Sequence, residues 1–237
     1  MTTFSEFLPM DRRAALAGSY NLPDRATGAA LFADISGFTP LTFSLVEKYG
    51  ADRGAEMLTE RLNRVFGSLV AQVHKYQGSV IGFSGDALTC WFDGDDGRRA
   101  ITSALEMQTA IAALDTTDMP AGTDSAIGIK VAVATGAARR FLVGVSNIPY
   151  VEVLAGRILD RTAAGESLAG QGEVVVSAEV LEVLGKDLNV VGEITSDTLQ
   201  EFYVIDNLIS RAEPTPWPDT AAIAAETTSC WILPPVY

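Results

Sequence analysis

Two acids set the question. Asp34 closes the apolar run of "ALFADISGFTP" (residues 30–40), and Asp86 stands 52 residues later (86 − 34) in "FSGDA". The residues after Asp34 are suited to starting a helix. Thr39 fits an N-cap, and Pro40 fits the first helical position, where its missing N–H costs nothing. Phe38 and Phe43 then occupy the hydrophobic-staple positions. The free N–H groups of a helix start attract anions, and Gly37 lets a ligand come close to the backbone. A carboxylate beside an anion pocket is repulsive unless a cation lies between them. Mg²⁺ held by one or two carboxylates and by substrate phosphates removes the conflict. Asp86 is the natural second ligand, provided that its segment pairs with the strand ending at Asp34. Two carboxylates and two metal ions would then polarise a phosphate and a hydroxyl nucleophile for in-line transfer. Lys130, on an otherwise apolar alternating strand, supplies a balancing positive charge.

Each of these residues also has a plainer reading. An Asp at a strand end is ordinarily a turn or cap residue. A lone Lys on a strand ordinarily carries its ammonium out to water. Arg157 on a helix is ordinarily half of a surface ion pair. His74, the only histidine, falls near a helix C-terminus, where its cation would be a favourable dipole partner.

The elements that must position these residues follow from periodicity. Residues 27–34 read as a buried strand. Apolar residues at helical spacing (Leu58, Leu62, Val65, Phe66, Leu69, Val70, Val73) predict a long amphipathic helix over about 51–76, after a shorter one ended by Gly50. Gly78 reads as the C′ residue of the long helix. "SVIGFSGDALTCWF" predicts a hairpin with Gly85-Asp86 as a two-residue turn. A helix over 97–114 precedes "SAIGIKVAVATG", a strand whose antiparallel partner is expected in "RRFLVGV". "YVEVLAGRILDRTAA" (149–163) reads as a helix carrying Arg157. A strand, a helix and two final strands complete the order. Hairpins mixed with crossover helices predict an α+β domain, with helices covering one face of a mostly antiparallel sheet. Three prolines in "PTPWP" mark a boundary. Residues 1–26 are therefore a lead-in, 27–210 the domain, and 211–237 a Pro-rich linker or tail toward a further domain, its last residues reading either as a segment packed back on the domain or as the start of that linker.

Composition limits the partners. The chain has 237 residues, with 17 Lys plus Arg against 30 Asp plus Glu and a formal charge of −13. That disfavours nucleic acid and anionic lipid, but not a nucleotide held in a locally positive site. No apolar run is long enough to predict a membrane span, and the first residues lack a signal-peptide h-region. Cys90 in an apolar run and Cys230 in the tail read as free thiols of a reducing cytosol.

With these residues in place, "FADISGFTPLT" together with "RGAEMLTERLNRVFGSLVAQVHKYQGSVIGFSGDALTCWF" resembles the class III nucleotidyl cyclase catalytic domain. Within that class it is most similar to the first cyclase domain of soluble, bicarbonate-responsive adenylyl cyclases and of bacterial tandem cyclases. The resemblance covers about 27–205 and is densest over 30–92. It implies a ferredoxin-like α+β core that dimerises head to tail, with active sites in the dimer cleft. It implies two Mg²⁺ (or Mn²⁺) ions on Asp34, Asp86 and the Ile35 carbonyl. Triphosphate would lie on the Ser36, Gly37, Phe38 and Thr39 loop beside Gly85, with Lys130 on phosphate. The implied reaction is attack of the ribose 3′-oxygen of ATP on its α-phosphate, giving 3′,5′-cyclic AMP and pyrophosphate.

The resemblance fails over the other half of such a site. A base-selecting lysine belongs four residues before the second aspartate, where this chain has Gly82. An Asn–Arg pair four apart on a helix aligns with Val153 and Arg157, and a second base-selecting residue falls near Ser146. The chain therefore resembles a metal-binding half that needs a second cyclase domain, in the same or another chain. Gly82 argues against a bicarbonate response, whereas Arg157 and Lys130 leave room for bicarbonate or another anion effector. The alternatives are a catalytically silent nucleotide- or anion-binding regulatory domain, a guanylyl cyclase and, more remotely, an aspartyl phosphatase.

Overall fold

Among the described residues, apolar runs bounded by Gly and acidic turns produce eight strands, and the computed structural model pairs them into one sheet of order β2-β3-β1-β4-β6-β8-β7, with β5 on β4. It describes residues 8–117, 127–145, 148–219 and 223–231. The elements are α1 (Met10–Leu16), β1 (Arg25–Ser36), α2 (Phe38–Tyr49), α3 (Ala51–Lys75), β2 (Ser79–Ser84), β3 (Ala87–Asp93), α4 (Arg98–Thr117), β4 (Gly128–Val145), β5 (Ile148–Ala155), α5 (Arg157–Leu168), β6 (Val174–Ser177), α6 (Ala178–Leu184), β7 (Leu188–Thr195), β8 (Glu201–Leu208) and α7 (Ala225–Ser229). All strand pairs are antiparallel except β4 with β6, so the α+β, mostly antiparallel expectation holds.

Residue parity assigns the two faces of the sheet, because alternate side chains of a strand point to opposite sides. Ala29, Leu31, Ala33 and Ile35 of β1 share the large core with Ile129, Val131 and Val133 of β4. The same core takes Leu69 and Val73 of α3, Ile101 of α4 and Val180 of α6. The intervening positions face the other way. Ala30, Ala134 and Ala138 pack with Trp91 and with Ile158 of α5, and Val175 with Phe202 and Val204 forms a third cluster. The single helical layer expected from sequence thus holds for α3, α4 and α6. In addition, α5 covers part of the opposite face, because the strands are apolar on both sides.

Several local expectations change. "RRFLVGV" is not a separate partner strand. It continues β4 to Val145, and Gly136 and Gly144 (φ 156° and 155°) lie within the strand without turning the chain. Its partner is β5, in residues expected to be helical: Val143 pairs with Val151 and Arg139 with Ala155. "YVEVLA" alternates like a strand, and Gly156 separates it from α5. After α3, Gln77 takes the left-handed conformation (φ 59°), not Gly78. Gly78 instead permits close packing, since a Cβ there would lie 2.5 Å from the Phe92 ring. The described part of the tail lies back on the domain: Thr215 N–H donates to the Lys75 carbonyl at 2.9 Å, and the Trp217 indole to the Gly78 carbonyl at 2.7 Å.

Candidate active site

The hairpin turn fixes where Asp86 can be. Gly85 has φ 64° while Asp86 keeps a negative φ, the combination of a Gly-first two-residue turn. β3 then pairs with β1 so that Asp34 faces Ala87, and the Ile35 N–H donates to the Asp86 carbonyl at 3.2 Å. The two acids therefore meet at one end of adjacent strands. On the other side of β1, Asp34 is registered against Lys130 of β4. Both lie at even positions, on the face away from the large core. Lys130 Nζ is 3.3 Å from Asp34 Oδ2 and 2.5 Å from Glu166 Oε1 of α5.

These charges are half-buried and incompletely balanced. Partial burial raises the Asp34 carboxyl pKa above its ordinary value. Asp86 and Glu166 push it the same way, and the Lys130 hydrogen bond opposes them without prevailing. The Lys130 ammonium pKa is raised, chiefly by its bond to Glu166. Asp86 is exposed at the turn. Two acids beside one ammonium that is also claimed by Glu166 form a site that lacks positive charge.

The loop after Asp34 is laid out differently from the expectation. The helix begins at Phe38, two residues early, with Gly37 as its N-cap at φ 84° and no side-chain cap bond. Thr39 and Pro40 thus fall within the first turn. Phe43 is 72% exposed and staples nothing. What remains is a left-handed glycine leading straight into an uncapped helix start, which leaves backbone N–H groups free for an anion. The Ser36 hydroxyl is buried without a hydrogen-bond partner at the same place. An orphaned donor, an uncapped helix start and two under-compensated carboxylates fit a phosphate with its divalent cations. Among the described residues no cluster of three or more His, Cys, Asp or Glu side chains could hold a metal ion by itself. Water, or substrate oxygens when a nucleotide is bound, would complete the coordination.

Not every expected residue joins this site. Arg157 is the exposed first residue of α5, and Val153 belongs to β5, so the two are not four apart on a helix. The α5 sequence RILDRTAAGESL contains no Asn at all. Gly156 lies against Ala137, which pairs with Thr27. That is seven residues along β1 from Asp34 (34 − 27), or roughly 23 Å at about 3.3 Å per residue. A groove of ≈ 460 Å³ lies there, bordered by Arg25, Thr27, Arg139 and Gly156, well away from the acids. Ser146 lies outside the described residues. Gly82 has open space around it, since a Cβ would meet nothing within 4 Å. The residue that sequence reasoning missed is Glu166. It is far from Lys130 in sequence and reads as an ordinary polar position of an amphipathic helix.

Comparison with known proteins gives the family and the fold. The sequence model described as the adenylate and guanylate cyclase catalytic domain matches residues 25–204. Adenylate cyclase type 10 of Rattus norvegicus is 27% identical over 164 residues, covering 68% of this chain and 10% of that protein. The chain thus spans about a tenth of the length of that curated relative. The adenylyl cyclase CyaB from P. aeruginosa has the same fold with a TM-score of 0.66 at 22% identity, covering 81% of this chain and 98% of that one. The guanylyl cyclase Cya2 gives 0.64 at 22% identity, covering 85% and 99%.

Proposed function

This chain belongs to the adenylate and guanylate cyclase catalytic domain family, and within it we propose that it is the metal- and phosphate-holding half of an adenylyl cyclase. It converts ATP to 3′,5′-cyclic AMP and pyrophosphate at an interface with a second cyclase domain. The observation that carries this reading is the meeting of Asp34 and Asp86 at one sheet end, with Lys130 directly across.

Asp34, Asp86 and the Ile35 carbonyl are the groups that would hold divalent cations, which when bound neutralise triphosphate charge and favour ionisation of a ribose hydroxyl. The backbone N–H groups of Gly37 to Thr39 and the orphaned Ser36 hydroxyl donate to phosphate oxygens. Lys130 adds a positive charge to the same group of oxygens. The ribose 3′-hydroxyl gives its proton to water, its oxygen bonds to the α-phosphorus, and the bridging bond to the β-phosphate breaks to release pyrophosphate.

A partner is supported by what this half lacks and by what it exposes. Gly82 has no side chain to read a purine, and α5 has no Asn to stand with an arginine as the resemblance requires. Phe141, Val143, Val145 and Val151 of the β4–β5 hairpin are 40–59% exposed, an apolar surface suited to another protein. A regulatory role without catalysis is favoured by the same absences. The two readings separate in Asp34→Asn and Asp86→Asn variants of the full-length protein, assayed with ATP and with GTP. Cyclic nucleotide formation falls at least about a hundredfold if these acids serve catalysis. Undiminished activity establishes the regulatory role, and product from GTP alone makes the protein a guanylyl cyclase.

A further inference from the structure

Glu166 reaches the site because α5 comes unusually close to the sheet one residue earlier. A Cβ on Gly165 would stand 3.0 Å from the Phe202 ring and 3.3 Å from the Ala132 methyl. Ala132 is two residues from Lys130 and shares its face. The close approach therefore sets Glu166 beside the Lys130 ammonium, where the contact is the shorter of the two that ammonium makes, 2.5 Å against 3.3 Å to Asp34. All three side chains retain some solvent access (26% for Lys130, 22% for Asp34, 19% for Glu166), so the group can rearrange without unpacking a core.

The ammonium of Lys130 touches the carboxylate on which a divalent cation would sit. A divalent cation on that carboxylate repels the ammonium and competes with it for the oxygen lone pairs, so binding favours withdrawal of Lys130 from Asp34. With Glu166 present, the lysine can let go of its longer contact and keep the shorter one. Without that acid it would have to abandon its remaining anionic partner. We infer that Glu166 is a positioning residue: it keeps the Lys130 ammonium when a divalent cation takes Asp34, and so sets how readily that cation binds. The inference rests on the metal reading of Asp34 given above.

The test uses Mn²⁺ alone, titrated into the full-length protein, with free Mn²⁺ counted by electron paramagnetic resonance. In the wild type, uptake at this site is lost on Asp34→Asn substitution. Glu166→Gln weakens that uptake about fivefold, the scale of one partly exposed ion pair. Glu166→Asp keeps the charge but withdraws the carboxylate from Lys130, and it weakens uptake similarly. Lys130→Met binds Mn²⁺ at least as tightly as the wild type, because the competing ammonium is gone. Circular dichroism confirms that each variant is folded. Wild-type affinity in Glu166→Asp, with loss only in Glu166→Gln, overturns the tether in favour of simple charge attraction. Wild-type affinity in both variants overturns it as well. If the wild type shows no Asp34-dependent uptake, the metal reading falls and the tether with it.

Discussion

Among the described residues, two clusters of charge contrast, one closed and one open. In the closed one, Arg140 of β4 is hydrogen-bonded to Asp11 of α1 and, at 3.0 Å, to Glu152 of β5, which also receives Arg12 at 2.8 Å. The Arg140, Asp11 and Glu152 side chains are only 1–2% exposed, and two arginines meet two acids. In the open cluster, one lysine meets Asp34 and Glu166 while Asp86 adds a further negative charge nearby. The difference lies in completeness. Charges that are fully paired and dry staple elements together. Charges left half-wet and short of a cation can still bind one.

That contrast can be tested at four depths. Arg140→Met leaves two buried carboxylates without their partner and lowers stability by about 3–5 kcal/mol, measured by urea unfolding. Loss below about 1 kcal/mol would show that water reaches the cluster and that it is not closed. Asp34→Asn reduces cyclic nucleotide formation at least about a hundredfold, yet shifts stability by less than about 1 kcal/mol, as expected of a partly exposed pair. A large stability loss there would erase the distinction. Lys130→Met lowers activity by about tenfold at saturating metal and raises KM for the nucleotide, which steady-state kinetics resolves. His74 gives the smallest effect. Its pKa is lowered, first by burial and then by Arg13, so the fold disfavours its cation and the helix dipole expected to support that cation is outweighed. A depressed histidine contributes stability above its ordinary pKa near 6.5 and loses it as pH falls through the folded value. The stability difference between wild type and His74→Gln therefore shrinks from pH 7.5 to 5.5.

The sequence made the acids legible because their placement depends on short-range signals. A strand end and a Gly-first turn locate Asp34 and Asp86, and one strand pairing joins them. Lys130 was legible as the only charge in the apolar stretch "SAIGIKVAVATG". The β4–β5 region was misread because glycine has two meanings. Gly136 and Gly144 lie inside a strand, while Gly156 is the true break before α5. With that break misplaced, Val153 and Arg157 were put on one helix. The partnership of Glu166 with Lys130 depends on how closely α5 approaches the sheet, and it shows only once Gly165 is seen against Phe202 and Ala132. The Arg140 cluster was invisible for a related reason, since it joins residues as far apart as 140 positions (152 − 12).

The central place of β1 also has a consequence in time. Asp34 precedes its register partner Lys130 by 96 residues (130 − 34) and Glu166 by 132 (166 − 34). At about 5–20 residues per second of synthesis, roughly 5–20 s separate the emergence of Asp34 from that of Lys130. Over that interval β3 can close one edge of β1, but the other edge stays unpaired beside an acid with no counter-charge. The strand that anchors the site is therefore, on the nascent chain, an open apolar edge of the kind that invites pairing with other chains.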